Sequence, residues 1–181
     1  MKWYKEFNVD MPQNLKSVCN SYTDVFEYEP IWTYKSVEDS KMWVIPPLGK
    51  NRIRLDDCGA SDKLANIREL VTTITELYLE EETPILAIWR FDEKFPHCPV
   101  HIDQGGEHTG SVVTCISGNF KIHLHAADEP DSPIIESVNI NGQTLVALNN
   151  TVFPHSVEGI GDLVVFGTAV KTDTKEYFKN A

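Results

Sequence analysis

The feature that most restricts the fold of this chain is a change of texture at Pro84. From there to Val170 the sequence breaks into short segments rich in β-branched and aromatic residues: PILAIWRF (84–91), CPVHID (98–103), GSVVTCIS (110–117), NFKIHLHA (119–126), PIIESVNI (133–140), QTLVAL (143–148), VFPHSV (152–157) and DLVVFGTAV (162–170). Turn-forming residues separate them, at Gly105-Gly106, Gly118, Asp128 to Asp131, Asn141-Gly142, Asn149-Asn150 and Gly159 to Gly161. Eight short strands at near-regular spacing predict a barrel or sandwich built of β-structure.

A different periodicity comes just before. Leu64, Ile67, Leu70, Val71, Ile74, Leu77 and Tyr78 recur at three- and four-residue steps, with Ser61 placed to cap and Pro84 to stop. This predicts an amphipathic helix over about 61–81 that lies against one outer face of the sheet. The acidic run Glu80 to Glu82 falls at its C-terminal end, where the helix dipole disfavours negative charge, so solvent is expected to hold it. Residues 1–60 are mixed, with a short helix expected in 12–22 and an extended piece in 42–55 broken by Pro46-Pro47 and Gly49. A chain of 181 residues suits one domain. The expected division is an N-terminal support region, 1–83, and a β-core, 84–171.

Charge narrows the partners. Sixteen basic residues stand against 27 acidic ones, a formal net charge of −11, and such a surface repels phosphate backbones. Nucleic acid is therefore not an expected partner. No apolar run approaches the roughly 18–20 residues of a membrane span, and MKWYKEFNVD lacks the apolar stretch of a signal peptide. The cysteines, Cys19, Cys58, Cys98 and Cys115, form no CxxC pair, which points to a reduced, cytoplasmic setting.

All six histidines fall between His97 and His155. Since imidazole is the side chain best suited to metals and proton transfer near neutral pH, any chemistry belongs to the second half. His101 and Asp103 lie two apart on one expected strand, and strand side chains alternate, so both face the same way. His155 lies on the seventh expected strand, which a rolled-up barrel can set beside the second. Two imidazoles and one carboxylate on one side of a metal form the facial triad of non-haem Fe(II) oxygenases, with positions left open for other ligands. They offset one of the two charges of Fe²⁺, so the remainder attracts an anionic chelator.

PVHID (99–103) and FPHSVEG (153–159) resemble the HxD…H pattern of the 2-oxoglutarate/Fe(II)-dependent oxygenase superfamily, and NNTVFPHSV resembles its approach to the distal histidine. The resemblance covers about half the chain, Pro84 to Val170. It implies a mainly β fold with flanking helices around a double-stranded β-helix, the jelly-roll, cupin-like core. It also implies Fe(II) on His101, Asp103 and His155. The implied activity converts 2-oxoglutarate and O₂ to succinate and CO₂ while a small molecule or protein side chain is oxidised, hydroxylation being the default outcome.

One departure concerns the co-substrate. Most members carry a basic residue on the last core strand for the far carboxylate of 2-oxoglutarate, whereas GIGDLVVFGTAV has none. One branch places a lysine on the fourth strand, and Lys121 in ISGNFKIHLH is similar. Alternation puts Lys121, His123 and His125 on one face, suited to a wet cavity, and Phe120, Ile122 and Leu124 on the other, suited to the helix-covered layer. Arg90 and Thr168 are further candidates for the same carboxylate. Asn149 and Asn150 read as turn residues.

Two rival readings keep the β-fold. In the first, Gly118, His123, His125 and Glu129 resemble a first cupin motif that His155 would complete, giving a metal-dependent dioxygenase or isomerase without 2-oxoglutarate. In the second, the chain is a non-catalytic β-barrel binding module.

Overall fold

Two long antiparallel strands organise the structure. In the computed structural model, which describes residues 1–9, 15–17, 33–35, 42–44, 52–54, 61–77, 79, 86–93, 96–103, 108–169 and 174–179, the strands are β1 (Tyr4–Asn8), β2 (Thr33–Lys35), β3 (Met42–Val44), β4 (Arg52–Arg54), β5 (Leu86–Phe91), β6 (His97–His101), β7 (His108–His125), β8 (Ile134–Ile140), β9 (Thr144–Leu148) and β10 (His155–Ala169). The helices are α1 (Ser61–Thr75) and α2 (Thr174–Lys179). β7 and β10 pair along nearly their whole length, from His155↔Leu124 to Ala169↔His108.

Each long strand serves two layers. The 111–113 stretch of β7 pairs with β9, which carries β1, and the 161–166 stretch of β10 pairs with β5, which carries β4. The other halves take β8 on the flank of β7 and β6 on the flank of β10. Two layers that share their central strands form a double-stranded β-helix, and the fold is mainly β with flanking helices, as expected.

Four of the eight expected strands are in fact two. Gly118 was expected to be a turn between 110–117 and 119–126, and Gly159 to Gly161 a turn before 162–170; all lie within β7 and β10. These glycines lie where β7 changes partner from β9 to β8 and β10 from β6 to β5. Gly118 (φ 76°) faces Gly161 (φ 132°) in register, and a methyl on Gly118 would collide with the carbonyl oxygen of Ile160. Only a residue without Cβ accepts both the left-handed backbone and this approach.

Two apolar layers follow. Ile67, Val71 and Leu77 are buried against Val112, Leu145, Ala147, Val164 and Phe166, so the stripe read from the sequence does face the sheet. Burial of an Ile or Leu side chain contributes roughly 1.5–3 kcal/mol. α1 stops at Thr75, earlier than its periodicity predicts. Glu76 takes a left-handed conformation (φ 59°), and Thr75 Oγ1 donates to the Val71 carbonyl at 2.7 Å. The second layer holds Phe91, Cys98, Phe120, Ile122, Val138, Val157 and Leu163.

Of the helix expected in 12–22, residues 15–17 are helical and the rest lie outside the described residues. Pro46-Pro47, Gly49, Glu80 to Glu82, Pro84 and Gly105-Gly106 also lie outside them. Among the described residues no helix is long and apolar enough to cross a membrane.

Candidate metal centre

The β6–β10 pairing builds the site. His155 opens β10 directly opposite His101 at the end of β6, and cross-strand partners share a face. Their ring centroids are 4.3 Å apart. Asp103 follows β6 by two residues and returns its carboxylate to the same point. His101 Nε2 is 3.2 Å from Asp103 Oδ1, and His155 Nε2 is 3.9 Å from Asp103 Oδ2. One ligand atom from each residue lies within 4.8 Å of the others, a set that can hold a metal ion.

Both rings are turned by the same device. His101 Nδ1 donates to the Pro99 carbonyl at 2.8 Å, and His155 Nδ1 to the Phe153 carbonyl at 3.2 Å. With the Nδ1 proton fixed on backbone oxygen, each ring directs its Nε2 to the shared centre, where it offers a lone pair once Nε2 carries no proton. Metal-binding histidines are oriented this way by their outer partners.

The two imidazoles have opposite proton affinities. For His101, burial works against the charge, but the Cys98 sulfur and the Asp103 carboxylate outweigh it and hold its pKa well above the ordinary histidine value. For His155, burial and then the His101 charge push the pKa down to about 4, against support from Asp103. One proton on the pair balances one carboxylate, and a divalent cation would take that proton's place.

A mostly apolar cavity adjoins the triad. Trp89, Phe91, Ile122, Leu163 and Val165 line it, together with Cys98 and Asn150. This reverses the face assignment made for β7. Alternation holds, but Phe120, Ile122 and Leu124 face inward and the polar set faces out. The Lys121 side chain is 55% exposed, with Nζ 4.0 Å from Glu158 Oε1. His123 is buried on that outer side, with Nδ1 2.7 Å from Ser137 Oγ and Nε2 3.3 Å from Glu158 Oε1. His125 bonds the Ser132 carbonyl and Ser156 Oγ. Partnered polar groups tolerate such partly covered positions, while the apolar set gains more from the interior.

Lys121 therefore stands away from the triad cavity. Arg90 does too: it alternates with Trp89 and Phe91, and its guanidinium grips Asp162 through Nε at 2.8 Å and Nη2 at 3.3 Å. Thr168 lies on β10, and its side chain is outside the described residues. The cupin-type set does not assemble, since His123 and His125 face outward from β7 while His155 faces in, and Glu129 is exposed in the turn after β7. A groove of about 600 Å³ on the outer face, lined by His97, Lys121, Asn139 and Glu158, is larger than the triad cavity but lacks its ligand set.

One residue at the site was read from the sequence only as a turn. Asn150 is buried beside Asp103, and its Nδ2 donates to Asp103 Oδ2 and, at 3.0 Å, to Ser111 Oγ. No local signal separates such an asparagine from a turn former, because its partner lies on a distant segment.

No protein-family model and no curated protein matches the chain. Solved structures do. AviO1 from Streptomyces viridochromogenes Tue57 aligns with a TM-score of 0.53 at 11% identity, over 94% of this chain and 91% of its own. A prolyl hydroxylase from Trichoplax adhaerens, in complex with a hypoxia inducible factor oxygen degradation domain peptide fragment, aligns with a TM-score of 0.50 at 12% identity, over 98% and 87%. A Pseudomonas putida prolyl-4-hydroxylase aligns over 93% and 92% at 13% identity, with a TM-score of 0.49. The chain shares the double-stranded β-helix fold of these structures, and it carries His101, Asp103 and His155 together as a set that could hold a metal ion.

Proposed function

We propose that this protein is an Fe(II)-dependent oxygenase of hydroxylase type, with 2-oxoglutarate as co-substrate and a small molecule or protein side chain as substrate. The observation that carries this reading is the convergence of His101, Asp103 and His155, their ligand atoms all within 4.8 Å of one another. The donor set fits iron: two neutral nitrogens and one carboxylate suit a non-haem Fe(II) centre with open positions. Bound there, iron would supply the activation of O₂ that oxidises a C–H bond.

The chain's own residues do the rest. The Pro99 and Phe153 carbonyls keep protons at Nδ1 and lone pairs at Nε2. Trp89, Phe91, Ile122, Leu163 and Val165 keep bulk water from the reacting side of the site. The fit to the far carboxylate of 2-oxoglutarate is weaker. Among the described residues lining the cavity none is Lys or Arg. The Trichoplax neighbour was solved with a peptide, which supports a protein side chain as one substrate class. The free thiols of Cys98 and Cys115 fit a reducing, cytoplasmic setting.

Succinate formation from 2-oxoglutarate by the iron-loaded protein under air tests the reading. It should occur at a slow uncoupled rate and vanish in Asp103→Ala. Equal rates in both proteins, or none in either, would contradict it.

A further inference from the structure

We propose that Asn150 is the positioning residue that holds Asp103 as a one-oxygen metal ligand; this rests on the reading of the triad as a metal centre. Asp103 lies two residues past the end of β6, and Asn150 ties it down twice. The Asn150 carbonyl accepts the Asp103 N–H at 3.0 Å, and Asn150 Nδ2 donates to Asp103 Oδ2. An ionised carboxylate only accepts, so the amide must turn its NH₂ end toward it. Ser111 Oγ, on β7, accepts the other Nδ2 proton at 3.0 Å.

The consequence is a division of labour within one carboxylate. Oδ2 is engaged by the amide and lies 3.9 Å from His155 Nε2, while Oδ1 stands 3.2 Å from His101 Nε2. A carboxylate held this way binds metal through Oδ1 alone and leaves a coordination position that a two-oxygen mode would fill. The two histidines get their orientation from backbone carbonyls, and Asp103 gets its own from Asn150. Asn150 is 5% exposed, lines the triad cavity, and its Oδ1 has no hydrogen-bond partner among the described residues. A side chain present only to close a turn has no need to bury an amide against the carboxylate.

The test compares Mn(II) affinity, read by electron paramagnetic resonance, in the wild type, Asn150→Leu and Asn150→Ser, with thermal melts of the metal-free proteins alongside. Leucine keeps the volume and removes the donor; serine loses volume and keeps a hydroxyl donor. The clamp predicts that Asn150→Leu weakens Mn(II) binding by about 10–100-fold, with Asn150→Ser retaining more affinity although it packs less well. A packing role predicts the reverse order. Wild-type affinity in Asn150→Leu would overturn the proposal. Should both variants fail to fold, a crystal structure of the Mn(II)-loaded wild type decides: Asp103 bound through Oδ1 with Oδ2 on Asn150 supports the clamp, and Asp103 bound through both oxygens refutes it. A wild type that takes up no Mn(II) or Fe(II) would overturn the metal reading itself, and the clamp with it.

Discussion

His155 stands directly across the β6–β10 ladder from His101, and this one register turns two distant stretches of sequence into a site. β10 is held on its other flank by β7, with His155 opposite Leu124. A slip of one residue would turn His155 to the outer face, so the site depends on the register being fixed from both sides.

The ligand assignment separates Asp103 from His123. Asp103→Ala should reduce Fe(II) affinity beyond the roughly 10–100-fold seen for outer-shell changes. His123→Ala should leave it near wild type, because His123 faces Ser137 and Glu158 on the outer side. Calorimetric titration under argon measures both.

Metal affinity should rise with pH. In the metal-free protein His101 keeps its proton above the ordinary histidine range, and a metal must displace it. Affinity should therefore climb by up to about tenfold per pH unit until His101 deprotonates, then level off. Mn(II) titrations at pH 6, 7 and 8 check the slope. Stability of the metal-free protein has two opposing contributions. His155, held at about 4 when folded, loses stability as pH falls from its unfolded value of 6.5 toward 4. His101, raised when folded, contributes stability that is full below 6.5 and lost as pH rises through its folded pKa.

Gly118→Ala should be among the most damaging changes away from the triad. The left-handed backbone and the collision with the Ile160 carbonyl together predict a loss of about 2 kcal/mol or more. Gly142→Ala is the control, because its added methyl meets only the Cys115 carbonyl at 3.6 Å, an ordinary contact. Urea melts of the two variants should differ clearly in midpoint.

Asp162→Ala should cost stability and leave the site intact. Asp162 accepts from Arg90 and from Ser117 Oγ near the bend of the long strands. With Arg90 31% exposed, solvent screens the pair, and a loss of about 1–2 kcal/mol is expected. Fe(II) and 2-oxoglutarate affinities should stay at wild-type values, as the cavity is lined by Trp89 and Phe91 rather than Arg90.

The triad was legible because a two-residue step on a strand fixes a shared face, and because the distal histidine sits in a recognisable run, FPHSV. The helix stripe was legible for the same kind of reason. Alternation on β7 gave the two sets of side chains correctly but not which set looks inward. The cavity is walled by Ile122 and its neighbours, so Lys121 fell on the outside. Gly118 and Gly161 read as turns because a strand bend and a loop use the same residue for the same left-handed freedom. Their pairing across β7 and β10 is visible only in three dimensions. Asn150 was missed because its function lies in a bond to Asp103, on another segment of the chain.

The most direct test is an anaerobic absorption titration of the purified protein with Fe(II) and then 2-oxoglutarate. One iron should bind per chain and a visible metal-to-ligand charge-transfer band should appear on adding the 2-oxo acid, both lost in His155→Ala. A protein that stays colourless at saturating Fe(II) and 2-oxoglutarate, or a band that persists without His155, would contradict it.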